Sequence, residues 1–244
     1  MEKEWFDEWF NSPFYHILYK NRNEVEAKKF IDNLSDHLQI NPQHKLMDLA
    51  CGKGRHAIYL NQKGFDVIGL DLSEKNISHA SACANARLSF KVHDMREAYL
   101  FEQFDFAFNL FTSFGYFESK KEHEAAILSV GQSLKSKGKL LLDFLNPYTV
   151  INHLVPEEIK VIDDIEFHIT KSISSDDYIV KNIYFQHKSK DHHFIEKVKA
   201  LRKMDFIEYF EKANFEVINV FGDYQLTPYE AHVSDRMIFE VQKS

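Results

Sequence analysis

Two cysteines in 244 residues, Cys51 and Cys83, are too few for a disulfide framework. No apolar run approaches the roughly 18 residues that a spanning helix needs, so no membrane partner is expected. The opening MEKEWFDEWF lacks the basic, apolar and cleavage regions of a secretory signal, and cytoplasmic residence is the default expectation. A long Lys/Arg run is missing too. With 30 basic residues against 37 acidic and a formal charge of −7, the electrostatic footprint for nucleic acid is absent. The 13 histidines form no H-x-x-x-H and no Cys/His pair at zinc spacing, and His192 and His193, adjacent on a predicted strand, point to opposite faces. No metal is expected. Internal repeats and low-complexity tracts are likewise absent, which excludes a solenoid or a long disordered linker.

What is present is an ordinary globular balance, 44% hydrophobic and 27% charged, with 22 Phe and 11 Tyr to furnish a core or a pocket. The length suits one α/β domain with an appendage. From Trp5 to Leu38 apolar positions recur at helical spacing, interrupted near Pro13 and Asn21. From Lys45 short apolar runs alternate with helical patterns: strands are expected over 46–49, 66–70, 88–92, 104–110 and 139–144, with helices starting near Arg55, Ser73 and Glu122. Right-handed crossovers make these strands parallel. After Asn146 and Pro147 the rhythm changes to strands over 159–170, 178–187 and 194–201 without helical crossovers, the pattern of an antiparallel insertion. A helix over 204–213 and strands over 215–221 and 236–241 complete the main sheet.

The most informative segment is Leu46-Met47-Asp48-Leu49-Ala50-Cys51-Gly52-Lys53-Gly54-Arg55-His56-Ala57, a strand running into a glycine turn and a helix. Gly52 and Gly54 let backbone approach a ligand closely. Their spacing with Ala57 also fits the G-x-G-x-x-A dinucleotide fingerprint, and an ordinary tight turn would use the same glycines. Asp48 separates the ligand readings. A carboxylate at the mouth of the turn repels a pyrophosphate and favours a ligand carrying an ammonium and a sulfonium, such as S-adenosylmethionine.

Two further strands end in acids. Asp71 lies about 20 residues beyond the glycines, where a carboxylate accepts ribose hydroxyls; Ser73 fits the N-cap of the following helix and leaves Asp71 for a ligand. Asp94 with Met95 suits an adenine amino group and ring face. A surface Asp after an edge strand would look the same in isolation, but three acids at three successive strand ends form a constellation.

D-L-A-C-G-K-G, G-L-D-L-S and H-D-M resemble the successive cofactor motifs of class I S-adenosylmethionine-dependent methyltransferases, over roughly residues 40 to 147 and again at the C-terminal strands. The resemblance implies an α/β fold: a seven-stranded, mostly parallel Rossmann-like sheet with an antiparallel last strand, an N-terminal helical lid (1–40) and an antiparallel β insertion after the fifth strand (148–201), on a core formed by 41–147 and 202–244. It implies that Gly52 and Gly54 contact the methionine portion and Asp71 the ribose. Ala50, Cys51 and Arg55 of the same turn, Leu72, and Asn109 and Leu110 at the fourth strand end complete the candidate cofactor contacts. Cys51 fits a small filler there, since methyl transfer from a sulfonium needs no covalent intermediate. The N-terminal segment resembles the lids of small-molecule members, which makes Tyr19 and Arg22 candidate contacts as well.

The segment from Asn109 to Phe117 occupies the position that lines the transfer site in such enzymes. It lacks the Asn/Asp-Pro-Pro-aromatic motif of methyltransferases acting on nucleic-acid bases, a second argument against a nucleic-acid substrate. The insertion is expected to stand above the pocket and set acceptor choice. The expected reaction is transfer to a small-molecule acceptor, by in-line displacement and with N-methylation favoured, leaving S-adenosylhomocysteine; Tyr116, His153 and His232 are the candidates for assisting the acceptor. The chain is expected to act as a monomer or homodimer. A nicotinamide-dependent oxidoreductase and a non-catalytic S-adenosylmethionine-binding protein stand as alternatives.

Overall fold

The computed structural model describes residues 5–20 and 24–244. Its main sheet has seven strands: β1 Lys45–Leu49, β2 Asp66–Asp71, β3 Leu88–Val92, β4 Phe104–Asn109, β5 Leu134–Leu145, β10 Phe215–Phe221 and β11 Arg236–Lys243, in the spatial order β10-β11-β5-β4-β1-β2-β3. Strands β1 to β5 pair in parallel, and β11 runs antiparallel to both β5 and β10. The central strands are buried on both faces, so they read as continuous apolar runs rather than alternating ones.

Helices cover both faces. On one side α3 (Glu24–His37), α4 (Arg55–Gln62) and α5 (Glu74–Ala80) bury Phe30, Leu34, Leu60 and Ile77 against Leu46, Val67 and Phe108. On the other, α6 (Lys120–Ser133) and α8 (Lys203–Lys212) pack Ile127, Val130, Phe206 and Phe210 against Leu140, Leu142 and Phe239. Helix α6 begins on a capping box, in which the Ser119 hydroxyl accepts from the Glu122 N–H and the Glu122 carboxylate accepts from the Ser119 N–H. Because β1 lies between β2 and β4, chain connections diverge at its carboxyl end and leave a crevice there, the usual place for a ligand in an open α/β sheet. Among the described residues no helix is long and apolar enough to cross a membrane.

The insertion differs in detail from its sequence pattern. It is a separate four-stranded antiparallel sheet, β6 (Glu157–Ile162), β7 (Ile165–Ile173), β8 (Tyr178–His187) and β9 (Lys190–Lys199), where three strands were expected. The segment 159–170 folds back on itself at Asp163 and Asp164, both at positive φ, which is the backbone of a tight hairpin turn and a conformation Asp tolerates. A short helix α7 (Pro147–Asn152) precedes the insertion, capped by Asn146 with Pro147 in its first turn.

Helices α1 (Trp5–Phe10) and α2 (Pro13–Leu18) stand on this second sheet. Trp9 and Leu18 are buried against Phe167, Ile169, Ile183 and Phe185, a third apolar core distinct from those of the main sheet. A half-buried polar latch accompanies it. Glu196 accepts from the Trp9 indole N–H at 2.7 Å and from the Tyr19 hydroxyl, and pairs with Lys181 at 2.6 Å. Burial alone would raise the Glu196 pKa, but the Lys181 charge and these hydrogen bonds hold it below the usual carboxylate range.

Candidate active site

A cavity of about 290 Å³ opens at the carboxyl ends of the strands beneath α1 and α2. Its floor is the glycine turn after β1. Gly52 has φ +56°, and nothing stands within 4 Å of where a Cβ would point, so the space beside it is open to a ligand. Gly54 does not line the cavity. At φ +80° it begins α4, and a Cβ there would come within 2.6 Å of the Phe90 ring, so packing rather than ligand approach requires this glycine. Ala50, also at positive φ, Cys51 and Arg55 line the cavity as expected. Burial pushes the Cys51 thiol well above the ordinary cysteine range, which keeps it a thiol rather than a nucleophile.

All three strand-end acids face this cavity, though each is more occupied than its sequence position implies. Asp48 is not at the mouth of the turn but in its floor, 1% exposed, accepting from the Ala57 N–H at 3.1 Å in the first turn of α4. Burial raises its pKa to about 7, so near neutrality it is only part-ionised and is a weaker electrostatic selector than a free carboxylate. Asp71 is not left free by the Ser73 cap: one carboxylate oxygen accepts from the Gly52 N–H at 2.8 Å and the other from the Ser73 N–H at 2.9 Å. Burial raises its pKa as well. Asp94 is gripped by the Arg96 guanidinium, which also reaches Glu122; against the effect of burial, the Arg96 hydrogen bonds hold Asp94 below the usual range. Leu72 and Met95 flank these acids on the cavity wall, 40% exposed in the case of Leu72.

The far wall is the segment after β4. Leu110, Ser113, Tyr116 and Phe117 line it, and the backbone turns through two consecutive positive-φ residues, Phe111 and Thr112. A buried pair fixes that turn: Asp143 accepts from the Phe111 N–H at 2.7 Å and from Arg236, while Arg236 also donates to the Thr112 hydroxyl at 2.8 Å. The Phe111 ring stacks on His56 at 4.8 Å and lies under the Arg55 guanidinium. The roof is aromatic, with Phe6, Phe10 and Tyr15 from the lid and Phe10 packed 5.3 Å from Tyr116.

Besides Gly54, four candidates fall elsewhere. Asn109 is buried behind the wall, its amide donating to the Ser113 carbonyl. Tyr19 belongs to the Glu196 latch and lines no part of the cavity. His153 is exposed at the end of α7, and His232 packs on Tyr148 at 5.2 Å; neither is a lining residue. Arg22 lies outside the described residues. No residue of β6 to β9 lines the cavity; that sheet instead carries the lid, and β9 holds the wall through the Lys199 N–H donating to the Gly115 carbonyl at 2.8 Å. Conversely, Phe6, Phe10, His16, His56 and Asn76 line the cavity without having been singled out. The helical period marked the lid's inward face, but not what that face would meet.

Residues 46–138 match the family model described as a methyltransferase domain. The chain carries a methyltransferase domain of the S-adenosylmethionine-dependent class. It is 29% identical to the putative methyltransferase YqeM of Bacillus subtilis over 82% of this chain and 84% of that one. It is 32% identical to the Streptomyces venezuelae dTDP-3-amino-3,4,6-trideoxy-alpha-D-glucopyranose N,N-dimethyltransferase over 54% of this chain and 56% of that enzyme. Among solved structures, an S-adenosylmethionine-dependent methyltransferase from Clostridium acetobutylicum superposes with a TM-score of 0.78 at 17% identity, covering 95% and 96% of the two chains. The nicotinamide alternative is thereby set aside. The methyltransferase's cavity suits its cofactor on its own terms: open space beside Gly52, carboxylates at successive strand ends, and apolar Leu72 and Met95 between them.

Proposed function

We propose that this methyltransferase transfers a methyl group to the nitrogen of a small amine. The observation that carries the reading is the division of the cavity: its acids lie on the strand-end side, while the lid and the wall after β4 present rings, Phe6, Phe10, Tyr15, Tyr116 and Phe117. S-adenosylmethionine, when bound, supplies an activated methyl on a sulfonium. The chain's own part is to bind, align and keep water out. In this reading Asp71 would take ribose hydroxyls, Leu72 and Met95 would lie against the adenine, and the glycine turn with Asp48 would face the cationic methionine end; all of them line the cavity.

An amine must attack as the free base, and a ring-lined, poorly hydrated wall lowers the pKa of an amine held against it, which favours the neutral form. The same ring faces hold a methylated ammonium by cation–π attraction. Tyr116 is the side chain of the wall best placed to orient the acceptor; its own hydroxyl proton is directed to the Thr112 carbonyl. The lid over a cavity of about 290 Å³ suits a small molecule better than a polymer. An amino-sugar N-methyltransferase among the relatives agrees with this acceptor class.

The test is transfer of labelled methyl from S-adenosylmethionine to matched pairs of small acceptors differing only in amine against hydroxyl. Transfer to the amines alone is expected. Transfer to the hydroxyl partners, to RNA only, or to nothing while S-adenosylhomocysteine binds tightly would overturn the proposal, the last in favour of a non-catalytic binding protein.

A further inference from the structure

Among the described residues three pairs of consecutive non-glycine residues sit at positive φ. Two of them, Asp163-Asp164 and Lys188-Ser189, close the hairpins between β6 and β7 and between β8 and β9, where the twist of the strands calls for that backbone. The third, Phe111-Thr112, closes no hairpin. It follows β4 in the wall of the cavity, with φ +59° at both residues. An aromatic and a β-branched residue are poor occupants of left-handed backbone, and such strain persists only where the surroundings over-determine it.

The surroundings do so from the far side of the sheet's end. Besides taking the Phe111 N–H on its carboxylate, Asp143 accepts from the Thr112 N–H on its backbone carbonyl at 3.0 Å. Arg236 bridges that carboxylate to the Thr112 hydroxyl, 2.8 Å from each. The Tyr224 ring closes the arrangement 5.1 Å from that of Phe111. What the turn holds out in return is a carbonyl: the Thr112 C=O accepts the proton of the Tyr116 hydroxyl. Tyr116 lines the cavity, and its ring meets Trp5 and Phe10 of the lid at 5.7 and 5.3 Å. A chain of contacts therefore runs from the buried Asp143–Arg236 pair, through a strained turn, to one phenol in the wall.

We propose that Asp143, Arg236 and Thr112 are positioning residues for the methyl transfer: through the strained turn they hold the Tyr116 oxygen where it accepts a hydrogen bond from the acceptor nitrogen. The proposal rests on the amine reading of the acceptor. A phenol whose proton is committed to a backbone carbonyl meets a ligand as a hydrogen-bond acceptor. As the free amine takes the methyl group and the sulfur keeps the bonding pair, the nitrogen gains positive charge and its N–H groups become stronger donors. An oxygen already in place to accept from them gains most in the transition state, so the arrangement raises kcat rather than acceptor affinity. No proton is transferred in this step, and the product leaves as the protonated amine.

The test compares wild type with Thr112→Ser, Thr112→Ala, Thr112→Gly and Tyr116→Phe in the full chain. It reads methyl transfer to an amine that wild type methylates, S-adenosylhomocysteine affinity by calorimetry, urea unfolding and the indole N–H resonances. Trp5 and Trp9 are the chain's two tryptophans, so the free protein gives one indole signal from beside Tyr116 and one from the Glu196 latch. Tyr116→Phe and Thr112→Gly are expected to lower kcat about tenfold or more, with KM and S-adenosylhomocysteine affinity within about twofold of wild type. Thr112→Gly should also shift the Trp5 signal and leave that of Trp9 in place. Thr112→Ser, which keeps a hydroxyl for Arg236, should turn over within about twofold of wild type. Stability separates positioning from mere support of the fold. Thr112→Gly and Thr112→Ala both lose the hydroxyl, but glycine takes positive φ freely, so the glycine variant should unfold at higher urea than the alanine one while turning over more slowly. A kcat that follows the unfolding midpoint across the series, or a Thr112→Gly protein with wild-type kcat and an unmoved Trp5 signal, overturns the positioning role alone. Should wild type methylate no amine, the amine reading and the hydrogen bond to nitrogen fall together.

Discussion

Replacing Asp48 by asparagine should stabilise the ligand-free protein, in a pH-dependent way, while weakening its grip on the cofactor. In the unfolded chain this carboxyl ionises near 3.8; in the folded one burial raises it to about 7. Between those values the native state holds a proton that the unfolded state has released, so stability falls as pH rises through the window. A gap of about 3 pH units corresponds to about 4 kcal/mol, fully expressed by about pH 8 and absent near pH 4. The Asp48→Asn side chain would keep an oxygen to accept from the Ala57 N–H and remove the buried charge. Urea unfolding of the free protein should find the variant more stable than wild type at about pH 8, by up to about 4 kcal/mol, with the difference fading toward pH 4. A cationic ligand draws Asp48 to its charged form, so wild-type affinity for S-adenosylmethionine should rise with pH through about 7, with proton release measurable in buffers of different ionisation enthalpy; the variant should release fewer protons and bind more weakly. A stability difference between the two proteins that does not change with pH would show that Asp48 ionises without penalty, and the reasoning from its burial would fall.

Four other outcomes follow from the geometry. Asp143→Ala leaves the buried Arg236 guanidinium uncompensated and frees the Phe111 N–H, and should lose about 3–5 kcal/mol in urea unfolding. Gly54→Ala forces a Cβ onto the Phe90 ring and should depress the melting temperature sharply, whereas Gly52→Ala, with no neighbour in the way, should cost about 1 kcal/mol of backbone strain yet abolish cofactor binding measured by calorimetry. Glu196→Ala should accelerate proteolytic cleavage within the lid while leaving the main-sheet core protected in hydrogen exchange. The wild-type latch, whose carboxylate pKa is depressed, should hold down to about the ordinary carboxylate range and fail only as pH falls below it. Finally, His153→Ala and His232→Ala should leave methyl transfer within about twofold of wild type in the labelled-methyl assay, because neither side chain reaches the cavity.

The order of elements along the core was legible from residue pattern, because buried parallel strands and amphipathic helices write different periods into the chain. Asp48, Gly52 and Asp71 were legible as neighbours for a related reason: each sits at or just after the carboxyl end of a strand, and parallel pairing brings those ends together. The Asp163-Asp164 hairpin was missed because its flanks are both strand-like and the turn carries neither Gly nor Pro.

Sequence by itself therefore determined the sheet, its glycine turn and the row of acids, since these depend on contacts that repeat at fixed offsets along the backbone. Only the tertiary structure decided what those acids are bonded to, that Gly54 answers to Phe90 rather than to a ligand, and that the insertion carries the lid instead of lining the cavity. Those facts depend on which side chains meet across distances of tens to hundreds of residues. Trp9 meets Glu196, Phe111 meets Asp143, and His16 comes to rest beside Asn76 through packing that no local period encodes.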